Sequence, residues 1–235
     1  MNKILTILLV VLLLACGKRK EVIEVLHILD AFSQVELNST FDVYLVEDSS
    51  YFIELIGVAK IIDKVDISND NGVLKIKRTS KNDWLSPKNN KIKLIIHSLP
   101  LEGVTANKTC SILTSNPITS DEFGLVIKDK ASEANLTLDC NIFFFWNNAP
   151  AGGRITLNGQ CTILRMWTTA IVTVDATNTI VDNALVENDS KGDCNVFVNT
   201  LLDYSILNEG NVNVYGSPSE INLVEHSGSG ELILH

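Results

Sequence analysis

The sequence predicts an all-β protein whose C-terminal part winds into parallel β-helix or β-solenoid-like coils, preceded by an N-terminal region of strands and hairpins. Three observations lead there. Residues 32–97 alternate apolar and polar side chains with a period of two. From about residue 108 a strand-plus-turn unit recurs every 16 to 26 residues. No helical periodicity interrupts either region. An antiparallel β-sandwich, which also carries short strands at regular spacing, is the second architecture compatible with this pattern.

The alternating region supplies five clear segments: Phe41–Leu45, Tyr51–Leu55, Lys64–Ile67, Val73–Lys77 and Ile92–Ile96. Between the third and fourth stands Asn69-Asp70-Asn71-Gly72, a hairpin signal, because Asn-Gly accepts the positive φ angles of a tight turn. A polar loop from Thr79 to Asn90 carries Trp84, which reads as exposed.

The repeat becomes visible when Lys108, Ala134, Gly159, Ala176, Gly192, Gly210 and Gly230 are set in one column. Four residues later stand Ile112, Leu138, Ile163, Ile180, Val196, Val214 and Leu234, all aliphatic. The position after the column residue is polar throughout: Thr109, Asn135, Gln160, Thr177, Asp193, Asn211 and Glu231. Each unit then contributes a strand with alternate side chains in a shared core, and the coils stack about 4.8 Å apart. In this frame Ile163, Ile180, Val196 and Val214 form one buried ladder. Cys110, Cys161 and Cys194 occupy an inward column on alternate coils, about 9.6 Å apart, beyond the reach of a disulfide. They read as small buried hydrophobes, and a disulfide involving Cys140 stays open.

The N-terminus gives an address. Asn2 and Lys3 precede an apolar run from Ile4 to Ala15. Twelve helical residues cover about 18 Å, short of the roughly 30 Å bilayer core, so this is a signal-peptide segment and not a span. The run closes on Leu13-Leu14-Ala15-Cys16-Gly17, which resembles the lipobox of bacterial lipoproteins. That resemblance implies cleavage before Cys16 and lipid on its thiol, since two or three acyl chains hold a soluble domain stably. The chain divides accordingly into a signal peptide (1–15), a lipid anchor and tether (16–30), an N-terminal β-strand region (31–100) and the solenoid-like repeat region (101–235). The expected location is the cell envelope, lipid-anchored in the outer membrane and facing either the periplasm or the surface.

Charge narrows the partners. The whole chain carries −9, and removing residues 1–15 takes one lysine and no acid, leaving −10. Such a surface repels nucleic acid and anionic headgroups, so the membrane contact falls to lipid on Cys16 and not to basic side chains. Lys18-Arg19-Lys20 is a short solvated start to the tether.

Catalytic patterns are absent from the sequence. His226-Ser227-Gly228-Ser229-Gly230 has the wrong order for a nucleophile elbow and reads as a turn. His27, His97, His226 and His235 lie far apart with no zinc-type spacing. A calcium loop with Gly72 at its sixth position fails, because Ile67 and Arg78 would fall on the first and twelfth ligand positions. No metal or cofactor is expected. The candidate contact surface is Phe143-Phe144-Phe145-Trp146, followed by a loop rich in Asn, Pro and Gly. A strand hides only alternate rings on one face, so two of the four should point away from the core and could meet a glycan or an envelope protein.

Three stretches carry a family resemblance. Phe32–Leu37 with Phe41–Leu45, then Asp63–Ile67 with Asn71–Ile76, and finally Gly210–Pro218 resemble the opening strands, the next hairpin and the closing coils of the head GIN domain family of auto-transporter adhesin heads. Ala134 and Ala176 replace the small-residue-plus-Gly turns frequent there, and the Phe143–Trp146 tract is unusual for it. The resemblance implies a β-rich envelope protein without enzymatic activity, acting as an adhesion or binding module. The competing reading is a polysaccharide-active enzyme on a β-helix scaffold, which paired carboxylates across a groove would favour.

The lipobox generates the first prediction. Replacing Cys16 by Ser should release the protein from membranes or block its processing in a membrane-fractionation experiment. A processed Cys16→Ser form that stays membrane-bound would refute it.

Overall fold

A computed structural model describes residues 22–79, 92–148 and 152–235. Cys16, its leader and Trp84 lie outside the described residues. Among them the chain is nearly all strand, with one four-residue helix, α1 (Ala59–Ile62).

The coils begin at β2 (Gln34–Leu37) and β3 (Asp42–Glu47) and resume after an excursion with β8 (Gly103–Ala106) and β9 (Ser111–Thr114). They continue through β10 (Glu122–Ile127), β11 (Ala131–Asn147), β12 (Gly152–Ser190), β13 (Cys194–Ile206), β14 (Val212–Gly216), β15 (Glu220–His226) and β16 (Leu232–Leu234). Pairing along this stretch is parallel throughout. The long strands bend round the corners: the start of β11 pairs with β9 and its end with β10. Each coil therefore contributes one segment to each of two faces. A parallel β-solenoid of about six turns makes up the C-terminal part.

The earlier strands join the same sheet. β7 (Lys93–Ser98) lies parallel to β3, and β4 (Phe52–Val58) runs antiparallel to β7, with β1 (Val22–Ile28) antiparallel to β4. On the other face β6 (Val73–Arg78) lies parallel to β2 and forms an antiparallel hairpin with β5 (Val65–Asp70). Its turn uses Asn71 at φ 51° and Gly72 at φ 81°, the conformation that Asn-Gly tolerates. The excursion thus covers the N-terminal end of the coils and pairs strand edges that would otherwise be bare.

The core is a set of ladders running across the coils. On one face Leu94, Val43, Ile112, Ala134 and Ile155 stack row upon row, all buried. On the other, Val35, Val104, Leu125, Phe145 and Met166 do the same. Towards the C-terminus Ala176, Val196, Val214 and Leu234 form a ladder whose first three members are buried.

The repeat frame read from sequence is right for Val196, Val214 and Leu234 and slips by four residues earlier. Ala134 pairs with Ile155, not Gly159, and Ala176 with Val196, not Gly192. Ile163 consequently pairs with Ile142 and is half-buried, while Ile180 is 53% exposed, so neither joins the predicted ladder. The cause is that each coil has two corners with similar chemistry. Gly159, at φ 96°, turns the chain between the two faces of one coil. Gly192, Gly210 and Gly230 lie at the other corner, where a Cβ on Gly210 or Gly230 would run into the carbonyl of the glycine one coil below.

The slip also dissolves the cysteine column. Cys194 pairs with Val174 and Val212, and Cys161 with Cys140, while Cys110 lies beside Ser39 and Ser132. All four are free, buried thiols, and burial pushes each up to about 12. They stay protonated at neutral pH and pack as hydrophobes.

Val196 is fully enclosed, so Val196→Asp places an unpaired charge inside the ladder at a cost of several kcal/mol. Hydrogen exchange should show the C-terminal coils losing protection. A Val196→Asp variant that keeps its protection and unfolds cooperatively would contradict this packing.

Candidate aromatic groove

Residues 142–147 form the end of β11, on the face shared with β10 and β12. Alternation sends Phe143 and Phe145 inward, where both are fully buried, with Phe143 stacked 6.1 Å from Phe123. Phe144 points outward and is half-buried, and Trp146 is 36% exposed. The two-in, two-out arrangement expected from strand geometry is the one found.

The outward side chains fall into columns because the coils are in register. One column reads Glu36, Thr105, Val126, Trp146, Trp167. The next reads Gln34, Gly103, Gly124, Phe144, Arg165, and beside it Ile142 pairs with Ile163. Two indoles on successive coils therefore stand next to a phenyl ring. Where the second column should continue past Phe144, Gly124 and Gly103 offer no side chain. The Phe144 ring leans into that gap, and a Cβ on Gly124 would collide with its outer atoms.

Beside this ring lies a groove of about 660 Å³ lined by Gln34, Pro100, Glu102, Ser120, Asp121, Glu122 and Phe144. A second hollow of about 180 Å³ shares Gln34, Glu102 and Phe144 and extends over Gly103, Gly124 and Val126. Two of the carboxylates are held in place: Ser33 Oγ donates to Glu102 Oε2 at 3.0 Å, and Asn141 Nδ2 to Asp121 Oδ1 at 3.1 Å. Ser120 is 7% exposed, and its hydroxyl has no hydrogen-bond partner. None of the lining residues is basic. Among the described residues, no cluster of three or more His, Cys, Asp and Glu side chains could hold a metal ion.

A separate polar cluster sits at the N-terminal end. His97 Nδ1 lies 3.1 Å from Asp48 and Nε2 3.5 Å from Glu54, with Phe52 stacked on its ring. The backbone N–H of Ser49, together with His97, holds the Asp48 carboxyl below its usual range.

Sequence reasoning found the tract but missed Trp167, Gln34, Glu102, Gly103, Asp121, Glu122 and Gly124. A signal was present: Ile142-x-x-x-Trp146 recurs 21 residues later as Ile163-x-x-x-Trp167, and Gly103 and Gly124 share that spacing. The spacing is the register of β11 on β12 and of β8 on β10.

Fold and groove together define a parallel β-solenoid with an outward aromatic column beside an acidic groove. The chain belongs to the family described as "Putative auto-transporter adhesin, head GIN domain", whose model matches residues 31–218. Among solved structures, it is similar to one described as a "putative adhesin" from Bacteroides fragilis, at 16% identity and TM-score 0.81, covering 92% of this chain and 98% of that one. A second such protein, from Parabacteroides distasonis, matches at 13% identity and TM-score 0.62 over 92% and 97% of the two chains. A protein from the same organism described as lipid binding matches at 12% identity and TM-score 0.60 over 91% and 96%. These likenesses establish the fold. A search of curated proteins returns no match. Among the described residues no helix is long and apolar enough to cross a membrane.

The different surroundings of the adjacent rings predict different costs. Phe145→Ala should destabilise the protein by about 3–5 kcal/mol, as core truncations of phenylalanine do. Phe144→Ala should cost about 1 kcal/mol or less, because its ring rests on the surface. Equal losses in urea unfolding would contradict the inward and outward assignment.

Proposed function

We propose that this chain is a non-catalytic adhesion module of the cell envelope, tethered to the outer membrane by lipid on Cys16, which makes its contact through Phe144, Trp146 and Trp167. The observation that carries the reading is the aromatic face itself. Three large rings share one outward surface of the sheet, Trp146 36% exposed and Phe144 and Trp167 half-buried. Aromatic side chains on a fixed backbone give large contact area for little lost conformational freedom, which is why they dominate recognition surfaces. Their strands are central ones, so the rings are held in position without a loop rearrangement.

Glu102, Asp121 and Glu122 along one groove are the observation that favours the competing polysaccharide-active enzyme. Glu102 and Asp121 each already accept a hydrogen bond from a neighbouring side chain, an arrangement that fixes them as acceptors for a bound ligand. The two readings separate in one experiment. Bilayer-coated beads carrying the lipidated protein should adhere to polysaccharide-coated or envelope-protein-coated surfaces. A Trp146→Ala/Trp167→Ala variant should lose that adhesion, and Thr156→Ala on the opposite face should keep it. Adhesion indifferent to the aromatic substitutions would refute the contact surface. Release of reducing ends, abolished by Glu102→Gln or Asp121→Asn, would establish the enzyme instead.

A further inference from the structure

We infer that the groove beside Phe144 is a subsite for a neutral pyranose of a glycan chain, an assignment that rests on the adhesion reading and names its ligand class. The dimensions come first. Gln34 and Phe144 stand three rows apart, with only Gly103 and Gly124 between them. The Phe144 ring lies over Gly124, so the open floor is the Gly103 row, about 5 Å long and room for one sugar ring. The groove volume of about 660 Å³ lies within the range of small-ligand sites.

The chemistry of the lining then selects the ligand. A pyranose with equatorial hydroxyls presents an apolar face of axial C–H bonds and a polar rim of O–H groups. The Phe144 ring suits the face. Glu102, Asp121 and Glu122 suit the rim, since ionised carboxylates are acceptors only and sugar hydroxyls donate to them. The Gln34 amide both donates and accepts at the far end. Ser120 adds a nearly buried hydroxyl with no partner, a polar group the protein leaves unused on the groove wall.

The same lining rejects other classes. With carboxylates and no lysine, arginine or histidine in the groove, a uronate or sulfated chain meets repulsion. An extended basic peptide would find the charge but not the backbone. β8 is paired on both sides, with β2 and β10, and β10 with β8 and β11, so no free strand edge is offered for added pairing.

The test uses the full chain in detergent with defined probes in calorimetric titrations. These are cellohexaose, laminarihexaose, mannohexaose and xylohexaose, with hexagalacturonate and an alternating Lys-Ser decapeptide as counter-probes. At least one neutral hexasaccharide should bind with a dissociation constant below about 1 mM. Phe144→Ala, and separately Glu102→Gln/Asp121→Asn, should weaken it at least about tenfold. Thr156→Ala should leave it unchanged, and urea unfolding of each variant shows that the coils stay folded. The proposal is overturned if no neutral sugar binds, if binding ignores Phe144→Ala, or if hexagalacturonate or the peptide binds more tightly than every neutral probe. Adhesion that needs Trp146 and Trp167 without any sugar binding would sink this subsite and leave the adhesion reading standing.

Discussion

Parallel, in-register hydrogen bonding between each coil and the next is the constraint on which the rest of the structure depends. A parallel solenoid satisfies its backbone only through its neighbours, so a row such as Val174, Cys194, Val212 and Leu232 exists only if several coils form together. Side-chain hydrogen bonds between neighbouring coils repeat the same link. Asn213 donates to Asn195 at 2.8 Å, Asn158 to Asn135 at 2.9 Å, and Gln160 to Asp139 at 2.6 Å, each one coil away. The two ends are treated differently. At the N-terminal end, β4, β6 and β7 cover the first coil, with β1 and β5 outermost. At the other end, β15 and β16 each pair on one side alone among the described residues. Leu223, Val224 and Leu234 are exposed there beside Glu220, Glu225 and Glu231, whose charge disfavours edge-to-edge association.

The same register builds the outward surface. Because β11 and β12 align Trp146 with Trp167 and Phe144 with Arg165, one period of the chain places an aromatic pair and its neighbour without any loop. Because β8 and β10 align Gly103 with Gly124, and β10 aligns Gly124 with Phe144, the phenyl ring can lie down over Gly124 at the edge of the groove. A shift of a single residue would turn Phe144 and Trp146 into the core and Phe143 and Phe145 out to solvent. Core and site are thus two readings of one alignment, and each limits how the other can change.

Much of this was legible from the residues. Strand alternation, the Asn71-Gly72 hairpin, the all-β class with parallel coils and the split of the four aromatics follow from local periodicity, and the structure shows all of them. The register of the middle coils was not legible. Gly159 and Gly192 look alike as turn formers, yet one divides a coil and the other begins it, and only the pairing partner tells them apart. The groove was hidden for a related reason. Gln34, Glu102 and Phe144 are far apart in sequence, and only the alignment of the rows brings them to one groove.

The central claim is that a one-coil register sets Trp146 directly beside Trp167 on the outer face. The most direct test is a Trp146→Cys/Trp167→Cys variant, oxidised mildly and mapped by non-reducing mass spectrometry. Directly paired residues on neighbouring strands lie within the Cα separation a disulfide needs. The account predicts a 146–167 linkage as the dominant new product, with Cys110 and Cys194 remaining free. Failure of the two to join in the folded protein, or preferential joining of either to a different coil, would contradict the register and the aromatic surface built on it.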